Sequence, residues 1–167
     1  MKRFLVPLLV LAFALAGTTS AGVQQGDNEI SFSASHVYTN YAAAGSTDTT
    51  ALEIGLGHFV TDELQLGIAV GGVWSEGDDV YSIGANAKYH FNTQGQIVPY
   101  VGANIGFLDA DYADGFVWGP VIGAKFFVTD SDNVFLFLEY NYLIYSGDID
   151  NYIDDQHSLL AGIGFKF

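Results

Sequence analysis

The stretch SLLAGIGFKF, residues 158–167, ends the chain. Leu159, Ala161, Ile163, Phe165 and Phe167 fall on one face of an extended strand, and Ser158, Leu160, Gly162, Gly164 and Lys166 on the other. A strand at a chain end is ordinarily polar and frayed. An apolar face that continues to the final residue needs an apolar surround along its whole length.

The same period of two recurs through the chain and predicts eight strands. They fall at about 28–38, 49–59, 64–74, 80–91, 97–107, 116–127, 134–145 and 157–167. In the first, Ile30, Phe32, Ala34 and His36 oppose Ser31, Ser33 and Ser35. In the third, Leu64, Leu66, Ile68, Val70 and Trp74 oppose Gln65, Gly67, Ala69 and Gly71. In the sixth, Phe116, Trp118, Ile122, Ala124 and Phe126 oppose Val117, Gly119, Gly123 and Lys125. Phe135 and Phe137 weaken the contrast in the seventh. Each run approximates the ~9–11 residues with which a tilted strand crosses a bilayer. The connections VTDE (60–63), NTQGQ (92–96) and VTDSDN (128–133) are short, and those after the first and seventh strands read as long and polar. LDADYADG (108–115) is intermediate and SEGDD (75–79) short. Short turns at one end and longer loops at the other are the pattern of a transmembrane barrel. An even strand number puts both termini at the turn end.

The N-terminal end agrees. MKRFLVPLLVLAFALAGTTSAG (1–22) opens with Lys2 and Arg3, followed by an uncharged apolar run from Phe4 to Ala16 and then small residues. This is the layout of a signal peptide, with cleavage expected after Ala21. The expected division is therefore a signal peptide at 1–21 and a barrel domain at 22–167. The chain has no cysteine, so it carries neither a lipoprotein anchor nor a disulfide. Without Lys2 and Arg3, three lysines stand against 19 acids, a formal charge of −16. That balance excludes a nucleic-acid partner, whose phosphates demand a basic surface. After residue 22 there is no apolar stretch long enough for a transmembrane helix.

Aromatic residues mark two belts. Trp74, Tyr81, Phe107, Phe116, Trp118 and Tyr142 lie toward the loop ends of their strands, and Phe59, Tyr89, Phe91, Phe126, Phe165 and Phe167 toward the turn ends. A water-soluble eight-stranded barrel would turn a charged face outward. Here the less apolar face is mainly Gly, Ser and Asn, which suits a crowded interior, and the carboxylates sit in loops. An open strand edge in lipid leaves backbone groups unsatisfied, so the eighth strand must pair with the first. The expected fold is all-β: an eight-stranded antiparallel up-and-down transmembrane β-barrel.

VPYVGANIGF (98–107), WGPVIGAKFFVTD (118–130) and LFLEYNY (136–142) resemble the hairpins of the small outer-membrane β-barrel proteins often labelled "porin family", a group similar to the OmpA transmembrane domain and to OmpX. The resemblance implies a Gram-negative outer membrane, a monomer, contact with outer-membrane lipid and lipopolysaccharide, and passage through periplasmic chaperones to the barrel-assembly machinery. Ile163, Phe165 and Phe167 resemble the C-terminal assembly signal that this machinery reads. Because the chain stops at the barrel, without a peptidoglycan-binding domain, the OmpX-type barrel is the nearer likeness.

Four features of the sequence could carry chemistry. Some small barrels deacylate lipid A with a His-x-Ser pair, but none of His36, His58, His90 and His157 has Ser two positions away, and His157 and Ser158 point to opposite faces. No enzyme activity and no cofactor is expected. The interior is only wide enough for its own side chains, and its glycines leave room for water or for Tyr100, Phe135 and Phe137. Glu53, Lys88, Lys125 and Glu139 all face inward and are expected to form an ion-pair cluster, with Glu139 bound to Lys125 or Lys88. OmpA-type barrels use a similar internal cluster. The acidic loops, with Glu76, Asp78 and Asp79, then Asp109, Asp111 and Asp114, then Asp148, Asp150, Asp154 and Asp155, lack EF-hand spacing and read as solvated surface, so no metal site is assigned. The expected role is structural or surface-interacting, with acidic loops presented outside. The alternative is a narrow channel for water, ions or small solutes.

Overall fold

The computed structural model describes residues 22–41, 45–74, 79–91, 93, 95–110, 113–128, 133–151 and 153–167, without the side chains of 37–41, 45–48, 74, 153 and 154. Eight strands, β1 (Asn28–Tyr41), β2 (Gly45–Phe59), β3 (Leu64–Trp74), β4 (Asp79–His90), β5 (Ile97–Ala110), β6 (Ala113–Phe127), β7 (Val134–Gly147) and β8 (Ile153–Lys166), follow one another around a closed antiparallel barrel. β8 returns to β1 in a ladder from Glu29↔Lys166 to Tyr41↔Ile153, so every strand has two neighbours. Backbone bonds between Asn28 and Phe167, each 2.9 Å, carry this closure to the last residue. Among the described residues no helix is long and apolar enough to cross a membrane.

The strands run further toward the loop end than the alternation predicts. The first connection, expected as a long polar loop, is mostly hairpin: β1 and β2 stay paired from Tyr38↔Asp48 to Tyr41↔Gly45. β6 starts at Ala113 rather than 116, and β8 at Ile153 rather than 157. The cause is physical. Alternation of polarity is imposed only where one face meets lipid, whereas Thr- and Ser-rich ladders hold in water on backbone bonds and β-propensity.

The outer wall is apolar. Ile68, Ile83 and Ile105 are nearly 60% exposed, and Phe116 and Trp118 half exposed or more, as lipid contact requires. Tyr81, Tyr89, Phe91, Phe126, Phe165 and Phe167 also face out and lie in the two belts. The side chain of Trp74 lies outside the described residues. Phe59 departs from the expected belt: it is fully buried inside the barrel. It ends β2 at inward parity with Glu53, Gly55 and Gly57, and parity rather than aromatic character decides its direction.

The interior is layered. At the turn end Val23, Phe59, Val98, Phe127 and Phe135 form a buried apolar plug, with Phe137 packed on it. Glycines on β8 make this possible: a Cβ on Gly162 would stand 2.7 Å from the Phe137 ring, and one on Gly164 would collide with the Phe135 ring. Residues 22–27 fold across the mouth. Val23 enters the plug, Gly26 N–H donates to Phe59 O at 2.9 Å and Gln25 N–H to Asp62 Oδ1 at 2.9 Å. Lys166 Nζ holds the same segment, at 2.7 Å from Gly22 O and 3.2 Å from Asp27 Oδ2. At the loop end Gly147, with φ at 98°, turns the chain into a short 3-10 helix, Asp148–Asn151, whose Ile149 is buried against Val117 and Tyr145.

Candidate functional site

Between these two apolar ends lie the inward-facing charges. Lys88 on β4 bonds Glu139 Oε2 on β7 across the lumen at 2.6 Å. Tyr100 O–H donates to the same oxygen at 2.9 Å, and Asn141 Nδ2 to Oε1 at 3.1 Å. Asn104 Nδ2 extends the network to Asn141 Oδ1 at 2.5 Å. Gly123 admits Tyr100: a Cβ there would fall 2.6 Å from the phenol oxygen. Of the two lysines considered for Glu139 from sequence, Lys88 holds it.

Lys125 on β6 bonds a different acid. Its Nζ lies 2.5 Å from Glu29 Oε2 on β1, and both side chains are almost fully buried. Gln65 Nε2 donates to the same Glu29 oxygen. The ammonium also faces the rings of Phe135 (4.9 Å), Phe59 (5.0 Å) and Tyr100 (5.9 Å), close enough for cation–π attraction. Glu29 was not among the residues singled out from sequence. The signal was its parity: it precedes Ser31, Ser33 and Ser35 on the inward face of β1.

Glu53 is the odd member. It faces inward on β2 within the electrostatic reach of Lys88 and Glu139. Among the described residues it makes no hydrogen bond or ion pair of its own, because Lys88 is committed to Glu139. The four predicted residues thus belong to two separate pairs and one unpaired acid, with Glu29 as the fifth member.

The charged layer divides the free space in the lumen. On its loop side is a cavity of about 310 Å³, with Glu53, Lys88 and Glu139 at its charged end and Ser35, Ser82, Asn86, Asn104 and Ser158 on its walls. Ile149 lies over it. On the turn side, around Glu29, Gln65, Tyr100 and Lys125, only about 40 Å³ remains, room for isolated waters.

The histidines do not form a nucleophile–base pair with any serine among the described residues. His36 and His58 are exposed on the outer wall, and His58 Nδ1 lies 3.0 Å from Asn28 Oδ1. His90 is fully buried between the Phe59 ring at 4.9 Å and the Tyr100 ring at 5.0 Å, and neither ring nitrogen has a partner among the described residues. His157 Nδ1 lies 2.6 Å from Tyr140 O–H on the outer wall, whereas Ser158 is buried inward. Among the described residues no three His, Asp or Glu side chains are grouped as metal ligands. Glu76, Asp78 and Asp111, and the side chain of Asp154, lie outside them. At the end of β8, Ile163, Phe165 and Phe167 face outward, with Phe167 73% exposed.

Residues 7–167 match the family model described as outer membrane protein beta-barrel domain. No curated protein matches the sequence. Among solved structures, Neisserial surface protein A (NspA) is 23% identical, with 86% of this chain and 100% of that one covered and a TM-score of 0.71. Ail, the attachment invasion locus protein of Yersinia pestis, is 12% identical over 86% of this chain and 100% of its own, with a TM-score of 0.60; it has also been solved with the heparin analogue sucrose octasulfate. The N-terminal β-barrel domain of Pseudomonas aeruginosa OprF is 23% identical over the same shares, with a TM-score of 0.58. At these identities the likeness to solved structures is one of fold.

Proposed function

Given that the chain belongs to the outer membrane protein beta-barrel domain family and is an outer-membrane protein, we propose that it is a closed barrel acting as a structural and surface-interaction protein, with no catalysis of its own. One observation carries this reading: the lumen is filled at its turn end by Val23, Phe59, Val98, Phe127 and Phe135, beneath a layer of buried ion pairs. Among the described residues such an apolar plug offers water and ions no polar lining, and opening a path would expose the aromatic core. The functional surface is then the loop end, which faces the cell exterior.

The charge of that surface narrows its partners. Asp109, Asp114 and Asp155 lie at the loop ends of their strands, and Asp148 and Asp150 in the short 3-10 helix between β7 and β8. Ail has been solved with a polysulfated ligand; a chain with a formal charge of −14 repels such polyanions unless divalent cations intervene. Lipopolysaccharide contact through bridging divalent ions, or a neutral or basic partner, fits better. Assembly through the machinery that reads Ile163, Phe165 and Phe167, and a monomeric state, belong to the same proposal.

The test is conductance of the refolded protein in a planar bilayer, alongside a gel comparing boiled and unboiled samples. A band that shifts on boiling, with no discrete conductance steps, is expected. Reproducible steps would replace this reading with a narrow channel.

A further inference from the structure

We infer that the cavity on the loop side of the charged layer is a binding site for a small hydroxylated organic cation, with Glu53 as its counter-charge. This is a property of the lumen and does not depend on what the loops contact.

The charge count leads to it. Among the described residues, the lumen between its two apolar ends holds three carboxylates, Glu29, Glu53 and Glu139, and two ammonium groups, Lys88 and Lys125, Lys166 being engaged with Asp27 at the mouth. Each lysine is spent on one acid: Lys125 on Glu29 at 2.5 Å and Lys88 on Glu139 at 2.6 Å. Glu139 is saturated further by Tyr100 and Asn141, and Glu29 by Gln65. Glu53 is left over, and it borders the cavity of about 310 Å³. A half-buried carboxylate that shares its nearest lysine with another acid is incompletely compensated, and a cation entering the cavity supplies the missing charge.

The walls select the kind of cation. Calcium and magnesium need several oxygen ligands, usually more than one of them a carboxylate, and among the described residues no cluster of three acidic or histidine ligands exists. Instead, with Glu139 held by Lys88, the cavity offers Glu53 as its one carboxylate without a lysine of its own among the described residues, and its walls carry the amides of Asn86 and Asn104 and the hydroxyls of Ser35 and Ser82. Amides and hydroxyls both donate and accept, so they match hydroxyl groups on a ligand, and the carboxylate matches an ammonium. The volume lies at the lower end of the ~300–1,000 Å³ of small-molecule sites, far above what a bare ion needs.

The experiment uses refolded wild-type protein in detergent and the Glu53→Gln variant, first checked for the same shift on boiling. Each is titrated calorimetrically with glucosamine at mildly acidic pH, where its amine is protonated, and with glucose and KCl as comparators. Saturable glucosamine binding near a Kd of ~1 mM is expected, at least tenfold weaker in Glu53→Gln, with glucose silent. Equal binding to both proteins would place the cation on the acidic loops and overturn the inference. So would glucose binding as well as glucosamine, complete displacement by equimolar KCl, or no saturable binding. Because the readout is binding rather than conductance, its failure leaves the closed-barrel reading standing, and conductance steps would not by themselves refute the site.

Discussion

Removing Lys125 should destabilise the barrel far more than removing its partner Glu29, and removing both should cost least. Lys125→Met leaves the Glu29 carboxylate buried with Gln65 as its only remaining donor among the described residues. Orphaning one member of a buried pair costs roughly 3–5 kcal/mol. Glu29→Gln orphans the ammonium instead, but three aromatic rings surround it within 6 Å. Cation–π attraction at a desolvated site returns about 2 kcal/mol, so this single change should cost about 1–3 kcal/mol. In the double variant Lys125→Met/Glu29→Gln no charge is stranded, Met fills the aromatic cage, and the loss should fall to about 1 kcal/mol or less. The assay is urea unfolding of the refolded proteins in detergent, followed by fluorescence of Trp74 and Trp118 and analysed by linear extrapolation. The informative quantity is the coupling, expected to exceed about 2 kcal/mol in favour of the double variant. Additive losses, or equal losses for the two single variants, would refute the idea that a dry, ring-caged ion pair organises this layer.

Three further outcomes follow from other layers. Glu139→Ala strips Lys88, Tyr100 and Asn141 of a shared acceptor and should lower urea-unfolding stability by about 3–5 kcal/mol. Gly164→Val pushes the Phe135 ring out of the plug; a loss of about 1–3 kcal/mol is expected in the same assay, and a neutral result would mean the plug is loose. Val23→Asp puts a carboxylate among Phe59, Phe127 and Phe135; it should release residues 22–27 to limited proteolysis while the band still shifts on boiling, and unchanged resistance would show that Val23 does not anchor the segment.

The transmembrane part of the fold was legible because lipid writes a period of two into each strand. Ile68, Ile83 and Ile105 face outward where the alternation places them, and β8 closes on β1 as its apolar face requires. Above the membrane that constraint ends, so the paired extension from Tyr38↔Asp48 to Tyr41↔Gly45 read as a loop. Phe59 reads as a belt residue from its aromatic character, but at a strand end parity decides the direction and turns it inward. The inward direction of Glu53, Lys88, Lys125 and Glu139 followed from parity alone, but which acid meets which lysine did not. Partnership depends on shear, which sets how far each strand is displaced along its neighbour, and no single-strand pattern encodes it.

Charge balance gives no hint of Glu29. Counting only the four singled-out residues, the lumen looks neutral, two acids against two bases, and a neutral cluster suggests mutual satisfaction. Adding the inward position one pleat before Ser31 breaks that balance. Lys125 is then drawn toward the turn end by Glu29 and the rings, Lys88 alone remains for Glu139, and Glu53 is left facing the cavity. The apolar plug therefore does more than close one end. By caging Lys125 among Phe59, Tyr100 and Phe135 it holds that lysine away from the two acids on the loop side, and so keeps a net negative charge in the half of the lumen that still has space.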